Sequence, residues 1–245
     1  MSLPLISVII PTYNRAAYLA EAIASVTSQT WSPLELIVVN DGSTDETAAT
    51  LAGLVAKPQP VSLRILCQDN AGPGAARNAG VAVARGEFLA FLDSDDLWLP
   101  DKLSRQMAVL QERPETDAVY GHGMQFLSPE LSVAERTRFA HLDGRVLPAP
   151  IAPSLLIRRG AFARVGPFDP ALRIGVDMDW YSRLCELPLG VVMLAEPVYR
   201  RRIHTSNLNL THAHEQSERL LVLKRVLDRR RAAAVALTPD GCGGP

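Results

Sequence analysis

The feature that most limits what this chain can fold into is an alternation at its N-terminal end. Short apolar runs at residues 6–10 (ISVII), 34–39 (LELIVV), 61–67 and 87–92 (EFLAFL) are separated by stretches of helical periodicity. Leu19, Ala22, Ile23 and Val26 recur three and four apart, which predicts an amphipathic helix over 15–29 with Asn14 as its N-cap. Ser43, with Glu46 three residues on, reads as a capping box opening a helix over 44–55. A third helix is predicted over 74–84, closed by Gly86. Strands joined to helices by short connections predict a mostly parallel α/β sheet with helices on both faces. The unbroken run 88–92 suits a central strand buried on both sides. In such sheets ligands sit beyond the C-terminal ends of the strands. Every polar cluster of this half falls at such an end: Thr12 and Asn14, Asp41, residues 70–78, and Asp93 with Asp95.

The fourth strand runs straight into Asp93, Asp95 and Asp96. Side chains two apart on an extended chain point the same way, so Asp93 and Asp95 can aim into one site. Their charges repel unless a cation or hydrogen-bond donors answer them. Oxygen ligands of this kind suit Mg2+ or Mn2+, which bind through one or two carboxylates and keep positions for phosphate oxygens. The plain alternative is a solvated acidic turn ahead of the helix that starts near Pro100.

The second half is less regular. It predicts a helix from Pro100 with Leu103, Met107 and Leu110 inward, and strands at 117–120, 154–157, 191–194 and 198–203. A short helix is predicted over 159–165, and another through GVDMDWYSRLCELP with Trp180, Tyr181 and Leu184 inward. Residues 127–153 show no sustained period and read as a long connection of the kind that forms lids or binding loops. The expected organisation is one domain over 1–212, with halves at 1–100 and 101–212. A terminal amphipathic helix over 213–236, with Leu220, Leu223 and Leu227 on one face, and a disordered tail over 237–245 would follow. That helix, ending in KRVLDRRR, has three readings: packing on the domain, homodimerisation, or peripheral contact with an acidic membrane surface.

At 245 residues and 47% hydrophobic content the chain can build a large core. Its net charge of −1 leaves no global basic field for nucleic acid. Cys67, Cys185 and Cys242 are too few and too scattered for a disulfide framework or zinc site, which points to the reducing cytoplasm. The first residues lack a secretory pattern.

Read together and in order, SVIIPTYNR, VVNDGSTDET, NAGPGAARNAG and FLAFLDSDD resemble the family 2 glycosyltransferases, enzymes of the GT-A fold that use nucleotide-activated sugars. The resemblance is close over roughly the first hundred residues and resumes at GVDMDWYSRL and, more faintly, at YRRRIH. It implies inverting transfer of a sugar from a nucleoside-diphosphate donor, a UDP-sugar first among them, to a hydroxyl acceptor, with Mn2+ or Mg2+ as cofactor. By position, Pro11, Thr12, Tyr13, Asn14 and Asp41 would line the nucleoside pocket, with Asp41 bonded to the base. Arg77 and Asn78 would lie beside the sugar diphosphate, and Asp93 and Ser94 against the ribose or sugar. Asp95 would ligate the metal, His204 would stand near the metal or diphosphate, and Asp177 would be the general base. The family usually carries Glu-Asp at this last motif, where Val176-Asp177 stands here. Asp179 competes for the role, but it also sits four before Arg183 and reads equally as half of a surface ion pair. The acceptor, whether glycan, lipid carrier, peptide or small metabolite, is not legible.

Each site residue also has a plainer reading. Asp41 before Gly42 is a common turn pair, Arg77 could be a helix-surface cation, and His204 a structural histidine. Two other functions compete. Gly72-Pro73-Gly74 faintly resembles a dinucleotide fingerprint, although its third glycine position holds Arg77. The altered Val176-Asp177 motif also admits a binding module without turnover.

Overall fold

The computed structural model of the chain describes residues 3–56, 60–207, 220, 222–229 and 231. The predicted alternation is present. Strands β1 (Ile6–Thr12), β2 (Leu34–Asp41), β3 (Ser62–Gln68) and β4 (Phe88–Phe91) are joined through helices α1 (Ala16–Thr27), α2 (Thr47–Val55) and α3 (Pro73–Val83). These strands pair in parallel in the order β3-β2-β1-β4. The apolar runs are continuous because both faces are covered. Ile6, Val8, Ile10, Leu36 and Val38 face one core with Leu19, Ile23 and Val26 of α1. Ile9, Ile37, Val39, Leu89 and Phe91 face the other, with Ala76 of α3. That is the period-two alternation of a doubly covered sheet.

Beyond β4 the sheet continues through β8 (Leu156–Arg158), β6 (Thr116–Leu127), β9 (Gly190–Ile203) and the two-residue β5 (Leu97–Trp98), with β7 (Val146–Pro148) beside β6. Most pairing is in parallel ladders, and the later half adds antiparallel ones. Helix α4 (Lys102–Glu112) buries Leu103, Met107 and Leu110 as expected. Helices α6 (Arg159–Val165) and α7 (Val176–Cys185) cover the opposite face, with Trp180 and Leu184 buried. Positions 220–231 are helical where described. Val222 and Val226 pack into the α7 side of the core, while Leu220, Leu223 and Leu227 face outward. The three leucines expected on one face are thus on the outward one. The expected tail at 237–245 and the rest of the predicted terminal helix lie outside the described residues.

Several local expectations are corrected. Asn14 is not an N-cap: it adopts φ 51°, and its Oδ1 accepts the Thr44 N–H at 2.8 Å. The first amides of α1 are capped from the neighbouring loop, Ala16 N–H by Asp45 Oδ2 and Arg15 N–H by Thr47 Oγ1. Ser43 and Glu46 form no capping box, because the Ser43 hydroxyl accepts from Asn14 N–H at 3.0 Å. Residues 127–153 are not an open connection. They contain helix α5 (Val133–Phe139), opened by a capping box of Ser132 and Glu135, and strand β7. The two strands expected at 191–194 and 198–203 are one strand, β9, and the strand expected at 117–120 extends to Leu127.

Candidate active site

The C-terminal ends of β1, β2 and β4, the first turn of α7 and the residues just beyond β9 enclose one cavity of about 820 Å³. Pro11, Thr12, Tyr13, Asn14, Asp41, Arg77, Asp93, Ser94, Asp95 and Asp177 all line it. Asp96, Arg15, Arg173 and Arg201 line it too. Asn78 does not: its amide donates to Phe168 O at 2.8 Å and accepts from Phe168 N at 2.9 Å, so its work is to hold the 166–169 turn. His204 reaches the cavity only through Asp95.

Asp41 ends β2 buried at 3% exposure. Its Oδ1 accepts from Gln68 Nε2 (2.7 Å) and Ala71 N–H (2.9 Å), and its Oδ2 from Gly72 N–H (2.9 Å). A carboxylate has about four acceptor sites, so one lone pair is left to face the cavity. Gly42 must be glycine: its φ is +74° and a Cβ would lie 2.7 Å from Asn70 N. Thr12 Oγ1 is buried with no hydrogen-bond partner, and Tyr13 is 45% exposed beside it. An orphaned hydroxyl on a cavity wall is an open request for a polar ligand atom.

Arg77 is the pivot. Its side chain is 4% exposed, donates to Asp93 Oδ1 at 2.6 Å, and lies 3.7 Å from Asp177 Oδ1. Burial alone would lower its pKa, but Asp177 and Asp93 outweigh that and raise it. Arg77 is therefore no helix-surface cation. Asp93 is held above the usual carboxylate range by burial and by Asp177 and Asp95, against the pull of Arg77. Asp95 goes the other way: burial opposes ionisation, yet the His204 ring N–H and the Arg15 guanidinium lower its pKa. Both bonds land on Oδ2, Arg15 Nε at 2.9 Å and His204 Nε2 at 3.1 Å. The Ser206 N–H donates to His204 Nδ1, which assigns the ring proton to Nε2. Asp96 is pushed well above the carboxylate range by burial and its acidic neighbours, while its Oδ1 accepts the Arg202 N–H at 2.8 Å. It fastens β9 to the β4 end.

Helix α7 separates the two acids left open by the sequence. Asp177 lines the cavity and accepts the Ala152 N–H at 3.1 Å. Asp179 is buried on another face, paired with Arg183 at 3.0 Å and Arg229 at 3.5 Å. Of the RRR run on β9, only Arg201 lines the cavity. Arg200 lies over the Phe126 ring at 4.3 Å, and buried Arg202 binds Glu21 at 2.6 Å. Arg15 carries no assigned role in the sequence motifs, although it stands inside PTYNR. Its partners, Asp95 and Ser206 O, are 80 and 191 residues away, and no local signal marks them.

Among the described residues no three His, Cys, Asp or Glu side chains form a ready metal cage. What remains is Asp95 with Oδ1 unbonded, and Asp93 with Oδ2 unbonded beside it. That donor set fits Mg2+ or Mn2+, which take one or two carboxylates and complete their shell with phosphate and water.

The family model described as glycosyl transferase family 2 matches residues 7–166. An uncharacterized glycosyltransferase of Nostoc sp. (strain PCC 7120) is 35% identical over 229 residues, covering 87% of this chain and 69% of that one. Another, from Rickettsia typhi, is 28% identical over 225 residues, covering 88% and 69%. Among solved structures, S. aureus TarS in complex with UDP-GlcNAc superposes with a TM-score of 0.65 at 22% identity, covering 82% of this chain and 59% of that one. The mannosyltransferase PcManGT from Pyrobaculum calidifontis, in complex with GDP-Man and Mn2+, gives 0.69 at 19% identity, covering 92% and 64%. This chain thus spans about three fifths of each of those chains. At such identities the likeness shows the fold, which is GT-A. The faint dinucleotide fingerprint has a packing explanation instead, since a Cβ on Gly74 would stand 2.8 Å from Asp169 O. With more than half its length matched by the family model, this chain belongs to glycosyltransferase family 2.

Proposed function

We propose that the chain transfers a sugar from a nucleoside-diphosphate donor to a hydroxyl acceptor, with Asp177 as the base. The observation that carries this reading is the single cavity shared by Thr12, Asp41, Asp93, Asp95 and Asp177, in which buried Arg77 joins Asp93 to Asp177. Tyr13 offers a ring face to the nucleobase, and the remaining lone pair of Asp41 accepts one base N–H. Thr12 Oγ1 and Ser94 are within the same nucleoside-facing wall.

In the reaction the acceptor oxygen bonds to the anomeric carbon while that carbon's bond to the diphosphate oxygen breaks. The departing nucleoside diphosphate keeps the electron pair. Asp177 takes the acceptor proton, and attack opposite the leaving group inverts the anomeric centre. Asp95, aided by Asp93, would hold a divalent ion such as Mn2+, the ion bound in PcManGT. When bound, that ion supplies positive charge against the leaving diphosphate. His204 acts as the donor that orients Asp95, since its Nε2 carries the proton facing that carboxylate. Arg201 adds a fixed cation on the diphosphate side.

Melting curves with UDP, GDP and their sugars, with and without Mn2+, identify the donor through ligand-linked stabilisation. NADH in the same panel tests the dinucleotide alternative. Asp177→Ala should bind the nucleotide and lose transfer. Asp93→Ala/Asp95→Ala should lose metal-dependent binding. Unchanged donor affinity and turnover in both variants would refute the reading. A wild-type protein that binds a donor and neither hydrolyses nor transfers it would make the chain a binding module.

A further inference from the structure

Helix α4 and the strand before it bury three polar side chains that the chemistry above does not use. Trp98, Lys102 and Gln106 are 3%, 0% and 0% exposed, and none lines the cavity. Lys102 has no ion-pair partner among the described residues, and its Nζ lies 4.2 Å from the Trp98 ring centroid. Burying such a group is costly, and the neighbouring inward positions Leu103, Met107 and Leu110 show that an apolar residue fills this core well.

The three polar groups share one target. Trp98 Nε1 donates to Pro153 O at 2.9 Å, Gln106 Nε2 to Ser154 O at 2.7 Å, and Lys102 Nζ to Leu155 O at 3.3 Å. These are successive carbonyls of a short 3-10 turn, Ala152–Ser154, and of the residue that leads from it into β8. Without partners they would be unpaired there. Trp98, Lys102 and Gln106 stand four apart, and the last two share one face of α4. Gln106 also accepts from Lys102 Nζ at 2.8 Å and donates to Val119 O at 2.9 Å, which ties the set to β6. Ser154 Oγ turns back to bond Ala149 O and Ile151 O. The segment held this way presents Ile151 to the cavity and the Ala152 N–H to Asp177.

We propose that Trp98, Lys102 and Gln106 are positioning residues for Asp177: by fixing three consecutive carbonyls of the 149–155 segment they fix the Ala152 amide that aims the Asp177 carboxylate. The inference rests on Asp177 being the base. Core packing alone would leave the choice of polar side chains unexplained, because it asks only for volume.

The test uses Trp98→Phe, which removes one N–H and keeps a ring, with Lys102→Met and Gln106→Leu, all on the full chain. Hydrogen exchange is followed at the Ala152 amide, affinity is measured for UDP with Mn2+, and kcat and KM are measured for sugar release from UDP-glucose, UDP-N-acetylglucosamine and GDP-mannose. The expected result is faster exchange at Ala152 and a kcat lowered by about 10- to 100-fold, the scale of a displacement near 1 Å. UDP affinity and donor KM should stay within about twofold. Unchanged exchange at Ala152 in folded Trp98→Phe overturns the proposal. So does a loss in which affinity and melting temperature fall while KM rises. Asp177→Ala run alongside separates the two readings: if it turns over like wild type, Asp177 is not the base. If it is inactive while the other variants are fully active, only the positioning role fails.

Discussion

Replacing Arg77 with methionine removes the cation that joins the two acidic motifs while keeping most of the stem over Phe168, whose ring centroid lies 5.4 Å from the guanidinium carbon. Breaking a fully buried ion pair by deleting one partner costs about 3–5 kcal/mol. Here the arginine is 4% exposed, but Asp93 and Asp177 are 35% and 26% exposed and keep some water. The cost should therefore fall to about 2–3 kcal/mol, or about 5–10 °C in melting temperature for a chain of this size. The sign with pH follows from Asp93. It already sits above the usual carboxylate range, and without Arg77 it is left with like charges and moves higher still. A carboxylate with a raised folded pKa stabilises below its unfolded value, and that stability is lost as pH rises through the folded one. The gap between wild type and Arg77→Met should be widest at about pH 8 and should narrow towards about pH 4. Thermal melts at both pH values measure it. A gap below about 0.5 kcal/mol, the scatter of ordinary surface substitutions, or a gap independent of pH would refute the coupling of the two motifs through Arg77.

Three other outcomes are expected. Thr12→Val should leave stability within about 0.5 kcal/mol, since Oγ1 has no partner to lose, yet weaken nucleotide binding about 5- to 10-fold by calorimetry. Glu35, at the opposite end of the sheet, is 3% exposed and bonded by Ser7 Oγ and by Arg85 through both its backbone N–H and Nε. Burial opposes its ionisation, but those donors pull its pKa below the ordinary glutamate value. Its stabilisation is present above that value and is lost as pH falls through the depressed one. Glu35→Gln should thus cost about 2 kcal/mol at neutral pH, a gap that urea titrations should see close in acid. Gly80→Ala would put a Cβ 2.5 Å from Ile9 Cγ2 and should destabilise by about 1–3 kcal/mol with an unchanged denaturant slope.

The first half of the fold was legible because its signals are local: apolar runs, helical spacing and short connections. The failures there concern which group caps which helix. Asn14 and Ser43 bond across to each other's loop rather than to their own helix, and Asp45 caps both the Ala16 N–H of α1 and the Thr47 N–H of α2, an exchange that is tertiary. The sequence pattern predicts a capping box at Ser43, and the structure forms one at Ser132. In the second half, Gly121 and Gly123 look like strand breakers. They make room instead, since a Cβ would meet Val198 Cγ1 at 2.5 Å and Tyr199 Cε1 at 2.6 Å. Pro197 splits the pattern of β9, and register shifts at Tyr120/His122 and His122/Gly123 accommodate it. The acids of the cavity were legible as motifs. His204 was legible only through the resemblance at YRRRIH, and Arg15 not at all: they come to Asp95 from 109 and 80 residues away, and only the folded chain shows that both bond the same carboxylate oxygen.

The described part of the terminal helix has a mechanical consequence. Arg225 grips Asp169, Arg229 reaches Asp179, Glu186 and Ser182, and Val222 lies against the Gly175 corner that opens α7. The segment thus acts as a brace on the shaft whose tip bears Asp177. Proteolytic clipping that strips residues 220–231 would loosen that shaft from behind. The loss would register as slowed turnover although every cavity-lining side chain was still in place.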